Sequence, residues 1–580
     1  MVLGYFKKFF SIFGENKKSF YVYLCLSVVV GIMEMCGVAL IYPFVLKILN
    51  QENSATLIDS PIFIGLVIIF IFLVKNVFMV FYTYLQAKFT KQIESEVNFK
   101  FIEYFLSAPF KYTSTIPVSK KMNILNFLIP NTINNFILRI SNISVNIFIF
   151  TLIVAILAIK FPYATFLTTM SAIMLIIVQN KFFKPILNNI AEKQSKASTD
   201  ASQRSNDILL NIKNIKILNN EIFFFEKYKS AISGLYCITK KTQFLNSVPP
   251  YVIEPFVIIL LFILLGIITI QNHSEPDKLI ASFALVASAL FRLSPTIARL
   301  QVNLNGINSA IPSVNELLNF AENLDITSIE LPKKEDYYKL KSGIELKNVN
   351  FEYQVDKPVL KDINLYIKKG EFIGIAGESG EGKTTLADVI SGIFEPYSGE
   401  ILVDGKPVHK LSHLNIGYIP QEFMIINSTI RENVAFGHKE INDERVVYAL
   451  KQAQLYSFIE ENYKEGIYAN PFVDSTGISQ GQKQRLSIAR ALYSNPDILI
   501  LDEATSSLDI KTENEFCNIL QALKGSITII AIAHRLSTIK SADRVVFMKK
   551  HTISAIGKFE ELYQANNEFK LMVEMSKLPK

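Results

Sequence analysis

The sequence predicts a membrane α-helical bundle of six transmembrane helices followed by an α/β P-loop ATPase domain, and three observations carry that prediction. Half of the 580 residues are hydrophobic and mean hydropathy is +0.28, more apolar than an ordinary soluble enzyme. The excess is uneven: long apolar runs fill the chain to about residue 310, and after about 340 strand and helix signals alternate. Finally, Gly377-Glu378-Ser379-Gly380-Glu381-Gly382-Lys383-Thr384 is a G-x-x-x-x-G-K-[ST] phosphate loop, set between a short buried strand (Glu371–Ala376) and an amphipathic helix from Thr385.

Apolar runs long enough to cross a bilayer recur at about 20–47, 62–87, 133–158, 162–184, 250–271 and 279–303. Lys7, Lys8, Lys17 and Lys18 precede the first run, which places the N-terminus in the cytoplasm. Six crossings return the chain to that side, where a phosphate loop meets ATP. The first run is too long for a signal peptide and has no A-x-A-like end, so it reads as a span that stays. Connections at about 88–132 and 185–249 are long, Lys-rich and helical in period. They read as membrane helices continuing into the cytoplasm, carrying contact points for the second half. The division is 1–310 for the membrane domain, 311–342 for a polar linker and 343–580 for the nucleotide-binding domain.

Net charge is +7 and pI about 8.8, but the Lys and Arg residues of the first half sit between apolar runs, as in cytoplasmic loops. Nucleic acid is not an expected partner. Cys25, Cys36, Cys237 and Cys517 form no C-x-x-C pair and have no accompanying His, which argues against a metal site or a disulfide framework.

Ionisable residues inside spans are costly and default to functional candidates. Glu34 lies in the first run, and Glu254 in the fifth beside Pro249, Pro250 and Pro255. Arg292 and Arg299 are two helical turns apart in the sixth and share a face, with Pro295 between them expected to kink the helix. Two guanidiniums on one face suit phosphate or pyrophosphate. Equally, Arg292 could pair with Glu254 or Glu34 while Arg299 snorkels. Lys75 and Arg139 lie nearer the span ends and rank lower.

In the second half, the loop glycines let backbone N–H groups cradle phosphate oxygens, Lys383 reaches the β- and γ-phosphates, and Thr384 ligates the bridging Mg²⁺. Ile498–Leu501 is an apolar strand ending in Asp502 and Glu503. Asp502 is placed to hold Mg²⁺, and Glu503 to act as general base on the attacking water.

With these residues the chain resembles the ATP-binding cassette (ABC) transporters over nearly its whole length. The resemblance implies a type IV exporter-like half-transporter using ATP and Mg²⁺. Tyr353 looks like the aromatic that stacks on adenine, and Gln421 like the glutamine that touches Mg²⁺ and water. Thr385 is taken with the nucleotide site. Ile478-Ser479-Gln480-Gly481-Gln482 resembles the signature that meets the γ-phosphate of the opposite subunit. Ser506–Asp509 looks like the D-loop, and His534 like the switch histidine. The usual L-S-G-G-Q is altered at Ile478 and Gln480, and no V-G-E-x-G stretch is recognisable in 471–477. One loop plus one signature is half of a composite pair, which implies a homodimer, or a heterodimer. Asn211–Lys216 with Glu221 resembles an exporter's fourth-helix extension, with a coupling helix over Ile222–Tyr228.

Among exporters the chain is most similar to bacterial flippases of lipid-linked oligosaccharides, through Glu34, Glu254, Arg292 and Arg299. This implies a multi-pass inner-membrane protein with a cytoplasmic ATPase and an anionic, pyrophosphate-linked amphipathic substrate drawn from membrane lipid. Leu49–Ser60 is too short and polar for the amphipathic helix such flippases carry after the first span. The alternatives are a lipid A or phospholipid flippase, a drug or peptide exporter, and an ATP-gated channel or regulator without turnover. A peptidase-bearing exporter is not expected, with about 19 residues before the first run. Retention of Glu503 and His534 speaks for turnover.

Overall fold

Apolar runs with few breakers become long helices. The computed structural model describes the chain except residues 1, 15–21, 23–24, 27, 34–39, 50–60, 161, 272–275, 324–337, 355–356, 408–413, 472–477, 504–509, 533–534 and 578–580. Glu34, Cys36, His534, the D-loop-like stretch, part of the first apolar run, most of Leu49–Ser60 and most of 471–477 lie outside the described residues. Two units emerge, Met1–Ala108 with Thr115–Leu331, and Pro109–Ser114 with Pro332–Lys580.

In the first unit, α1 (Val2–Phe13) and α2 (Ile41–Leu49) precede α3 (Pro61–Ser107). After α4 (Phe110–Ser114), α5 covers 118–160, with π-helical turns at Ile124–Leu128 and Ile133–Ile137. Then come α6 (Pro162–Leu210), α7 (Ile212–Ile217), α8 (Glu221–Gln271) and α9 (Pro276–Asn323). Among the described residues five helices are long and apolar enough to cross a membrane. At 1.5 Å per residue, the 49 residues of α6 and 51 of α8 run roughly 75 Å, more than twice a hydrocarbon core of about 30 Å. The surplus forms the helical extensions expected from the Lys-rich connections.

Each part of these helices buries what its sequence offers. Ile149, Ile153, Leu157, Ile253, Leu260, Leu264, Leu290 and Leu293 form one apolar cluster. A second gathers Phe9 and Phe13 of α1 with Phe101, Ile124, Phe136 and the α9 face Ile307–Val314–Leu317–Leu318. Between these, α5 and α9 meet through amides: Asn131 Nδ2 donates to Ser313 Oγ at 2.8 Å, and Arg139 Nη1 to Asn303 Oδ1 at 3.0 Å. Arg139 lies against Gly306, where an added Cβ would sit 3.1 Å from its Nε, so this arginine serves the α5–α9 packing.

Two expectations are corrected here. Residues 311–323, read as the start of the linker, are the last turns of α9, because Val314, Leu317, Leu318 and Ala321 continue its buried face through the rise in polarity. Ile222–Tyr228 is no separate coupling helix but the start of α8. The short separate helix is α7, which the turn at Asn219 (φ +53°) divides from α8. Backbone helix also continues through Pro249, Pro250, Pro255 and Pro295.

The second unit carries two sheets. An antiparallel sheet has the order β2 (Lys357–Lys368), β1 (Gly343–Gln354), β4 (Ser398–Val403), β5 (Lys406–Pro407). The other runs β10 (Thr552–Gly557), β9 (Arg544–Lys549), β3 (Phe372–Gly377), β8 (Thr528–Ile532), β7 (Ile498–Asp502), β6 (Ile416–Ile419). It is parallel except for β10 on β9. β7 and β8 are buried at every position, which is why they read as unbroken apolar runs. The carboxyl ends of β3, β6 and β7 all point one way, and ligands of open α/β sheets bind at that edge. Pro109–Ser114 packs within this unit. Lys111 Nζ donates to Glu352 O at 3.0 Å, and the Phe110 ring lies 5.9 Å from that of Phe394.

Candidate functional site

The phosphate loop leaves the end of β3 and enters α10 (Lys383–Ser391), a strand–loop–helix unit. Gly380 and Gly382 hold φ of +89° and +92°, a region L-residues seldom enter, and a Cβ at Gly382 would meet Val359 O at 2.6 Å. Lys383 is buried, and its ammonium donates to Gly377 O at 2.9 Å and Glu378 O at 2.8 Å, so it already lies across the loop. Burial pushes its pKa down, while Glu503, Glu381 and Asp502 oppose that shift. Glu381 turns outward to accept from His551 N at 3.0 Å, tying the loop to the β9–β10 turn.

The sheet brings Asp502, which ends β7, and Glu503, which follows it, beside this loop. Thr384 Oγ1 donates to Asp502 Oδ1 at 3.3 Å, and Asp502 is buried. This set of oxygen donors fits Mg²⁺, which takes one or two protein oxygens and completes its shell with phosphates and water. Asp502 Oδ2 accepts from Tyr418 Oη at 3.1 Å. Burial, and then the charges of Asp502 and Asp388, push the Tyr418 phenol up, so it stays a donor. Asp388, one turn into α10, is pushed up to about 6 by burial and by Asp502. Glu503 has a left-handed φ of +50° and accepts from Gln421 Nε2 at 2.7 Å. Its backbone N–H continues the β7–β8 ladder to Ile532 O at 3.2 Å.

Tyr353, at the end of β1, is 47% exposed, so one face of its ring is available to a base. Its hydroxyl is 3.0 Å from Thr385 Oγ1, and its ring meets Phe351 and Phe394 edge-on at 5.1 and 5.4 Å. Ser479 caps α11 (Gln480–Tyr493): its side chain accepts from Gln482 N at 3.3 Å, and its N–H donates to Gln482 Oε1 at 2.7 Å. Nothing lies within 4 Å of a Cβ placed on Gly481, so this helix start is open for an anion. Gln480 is exposed.

In the membrane unit the expected cavity residues differ in exposure. Arg292 is half-buried with its Cζ 5.2 Å from the centre of the Phe72 ring, whereas Arg299 and Glu254 are exposed. The second cation on Phe72 is Lys75, buried, with Nζ 5.2 Å from the same ring centre. Sequence position ranked Lys75 low; its i+3 relation to Phe72 on α3 was the available signal. Tyr418 was missed as well, though it stands three residues before Gln421.

Residues 20–293 match the ABC transporter transmembrane region, and residues 360–506 match the ABC transporter family. Curated relatives include the leukotoxin translocation ATP-binding proteins LktB of Mannheimia glucosida, Mannheimia haemolytica and Bibersteinia trehalosi. Each is 29% identical over 532 residues, spanning 90% of this chain and 73% of the relative. The solved structure of a bacterial Atm1-family ABC exporter with ATP bound superimposes with a TM-score of 0.80 at 21% identity, over 97% of this chain and 99% of that one.

Proposed function

This chain belongs to the ABC transporters, as an exporter half-transporter whose ATPase is coupled to transport, and from that premise we propose that it exports an anionic amphipathic molecule, a lipid carrying an oligosaccharide on pyrophosphate. It is a multi-pass membrane protein with a cytoplasmic ATPase domain, and half-transporters of this type work as dimers. The proposal places a homodimer in a bacterial inner membrane.

In the ATP site, backbone N–H groups of Gly377–Thr384 and the Lys383 ammonium hold the β- and γ-phosphates. Tyr353 stacks on the base, and Thr385 steadies that ring. Thr384, Asp502 and Gln421 would hold Mg²⁺, which would neutralise charge on the phosphates. Glu503 takes the proton of the attacking water, and Gln421 holds the Glu503 carboxylate toward that position. By the resemblance to the ABC transporters, Ser479, Gly481 and Gln482 of a second copy would complete the site at the γ-phosphate, with His534 of the first as its switch histidine.

The observation that carries the cargo reading is the approach of Lys75 and Arg292 to one ring in the membrane unit. Cations packed on an aromatic ring inside the membrane unit keep positive charge there, which suits an anionic headgroup. A polypeptide cargo is the second reading, favoured by the 29% identity with leukotoxin translocation proteins. The discriminating experiment is transport in proteoliposomes with lipid-linked oligosaccharide, lipid A, a hydrophobic dye and an unfolded polypeptide in parallel. Oligosaccharide-lipid flipping that falls in Lys75→Gln and Arg292→Gln, with nucleotide binding as the folding control, supports the proposal. Polypeptide transport alone overturns it.

A further inference from the structure

Asp502, the last residue of β7, and Glu503, the next, are both gripped from one short stretch of chain. β6 runs parallel to β7 with Tyr418 opposite Ile500. Side chains two apart on a strand share a face, so Tyr418, Ile500 and Asp502 lie on the same side of the sheet. Two residues of strand rise about 6.6 Å, close to the reach of a tyrosine ring and hydroxyl. The phenol of residue 418 therefore ends beside the carboxylate of residue 502, and the observed separation is 3.1 Å. Past the end of the strand, Gln421 reaches Glu503.

A carboxylate at a strand end can turn about its last torsion, which has a broad two-fold profile. Here both oxygens are engaged, Oδ2 by Tyr418 and Oδ1 by Thr384, and the residue is buried. We propose that Tyr418 is a positioning residue for the metal: by holding Asp502 Oδ2 it fixes the carboxylate plane so that Oδ1 faces the metal position beside Thr384. The inference rests on the reading that Asp502 is the metal acid. It adds a fixed anchor on β6 that holds Asp502, while Gln421, beyond the strand end, engages Glu503.

The test uses full-length protein in nanodiscs, with ADP present and Mn²⁺ binding followed by electron paramagnetic resonance. Tyr418→Phe keeps the ring and removes only the hydroxyl. It is expected to weaken Mn²⁺ binding about tenfold, the effect of losing a hydrogen bond to a charged group. Nucleotide affinity in chelator and the melting temperature stay at the wild-type values. The metal concentration for half-maximal ATPase should rise in parallel. Asp502→Asn is the reference. If Asp502→Asn weakens Mn²⁺ binding and Tyr418→Phe leaves the titration unchanged, the role of Tyr418 is overturned. If neither variant moves it, the metal role of Asp502 fails, and that of Tyr418 with it. A Tyr418→Phe protein that loses thermal stability and metal-free nucleotide affinity would also overturn the proposal in favour of a packing role.

Discussion

Gln421 Nε2 donates to Glu503 Oε2 at 2.7 Å, joining the turn after β6 to the residue after β7. Glu503 sits at φ +50°, a conformation that costs a non-glycine residue about 1–2 kcal/mol. The bond to Gln421 and the ladder bond to Ile532 hold it there. The carboxylate proposed as the base is thus aimed by a side chain from the turn after a different strand, so movement of 421 would withdraw the base without touching the phosphate loop.

Replacing Glu503 by Gln keeps size and polarity but removes the proton acceptor. Phosphate release is expected to fall by a factor on the order of 10²–10⁴ while ATP is still bound. Single-turnover phosphate release beside a filter-binding assay checks this; near-normal turnover would remove Glu503 from the role.

Tyr353 is expected to act through its ring. Tyr353→Ala should weaken nucleotide binding by about tenfold to a hundredfold, the range for loss of one base–aromatic stack. Tyr353→Phe loses only the contact with Thr385 and should stay within about threefold. Fluorescent-nucleotide titration separates the two, and equal losses would argue that the hydroxyl, not the face, matters.

Asp404 ties the entry of the C-terminal domain together. Its carboxylate accepts from Lys341 N at 2.9 Å, Ser342 N at 2.6 Å, Ser342 Oγ at 2.7 Å and Gly343 N at 3.0 Å. Burial alone would push its pKa up, but the bonds from Ser342, Gly343 and Lys341 outweigh that and hold it far below the usual carboxylate range. A depressed folded pKa means the stabilisation is complete above the unfolded value of about 3.9 and fades only as pH falls below it. Asp404→Ala should speed hydrogen exchange at the amides of 341–343 about tenfold at pH 7. Unchanged exchange would mean those amides are protected by something else.

Gly399 and Gly405 test whether space or backbone conformation dominates. Both have positive φ, +91° and +78°, but a Cβ at Gly399 would sit 2.3 Å from Asn348 O, whereas Gly405 has open space. Gly405→Ala should cost about 1 kcal/mol from conformation alone. Gly399→Ala should cost about 3 kcal/mol, because the clashing atom is backbone. Denaturant midpoints of the ATPase unfolding transition would show the order, and equal losses would contradict it.

How much of this was legible depends on how local the chemistry is. The phosphate loop, the acid pair at the end of β7 and the alternation of β3 with α10 follow from contiguous residues, since strand burial, glycine turns and helix starts are short-range. The long helices followed equally from apolar runs without breakers. Where patterns changed gradually the sequence misled: polarity rises at 311, yet Val314, Leu317 and Leu318 keep the helix packed to Asn323.

The sequence by itself determined an ABC half-transporter with a membrane half, an ATPase half and the identity of its phosphate-binding loop, because each is written in consecutive residues. Only the tertiary structure decided that Tyr418 meets Asp502 across 84 residues, that Gln421 meets Glu503 across 82, and that Lys75, not Arg299, shares Phe72 with Arg292. The physical reason is common to all three. Sheet register and helix packing set which side chains from distant segments end within hydrogen-bonding or ring-stacking reach, and no local pattern encodes that distance.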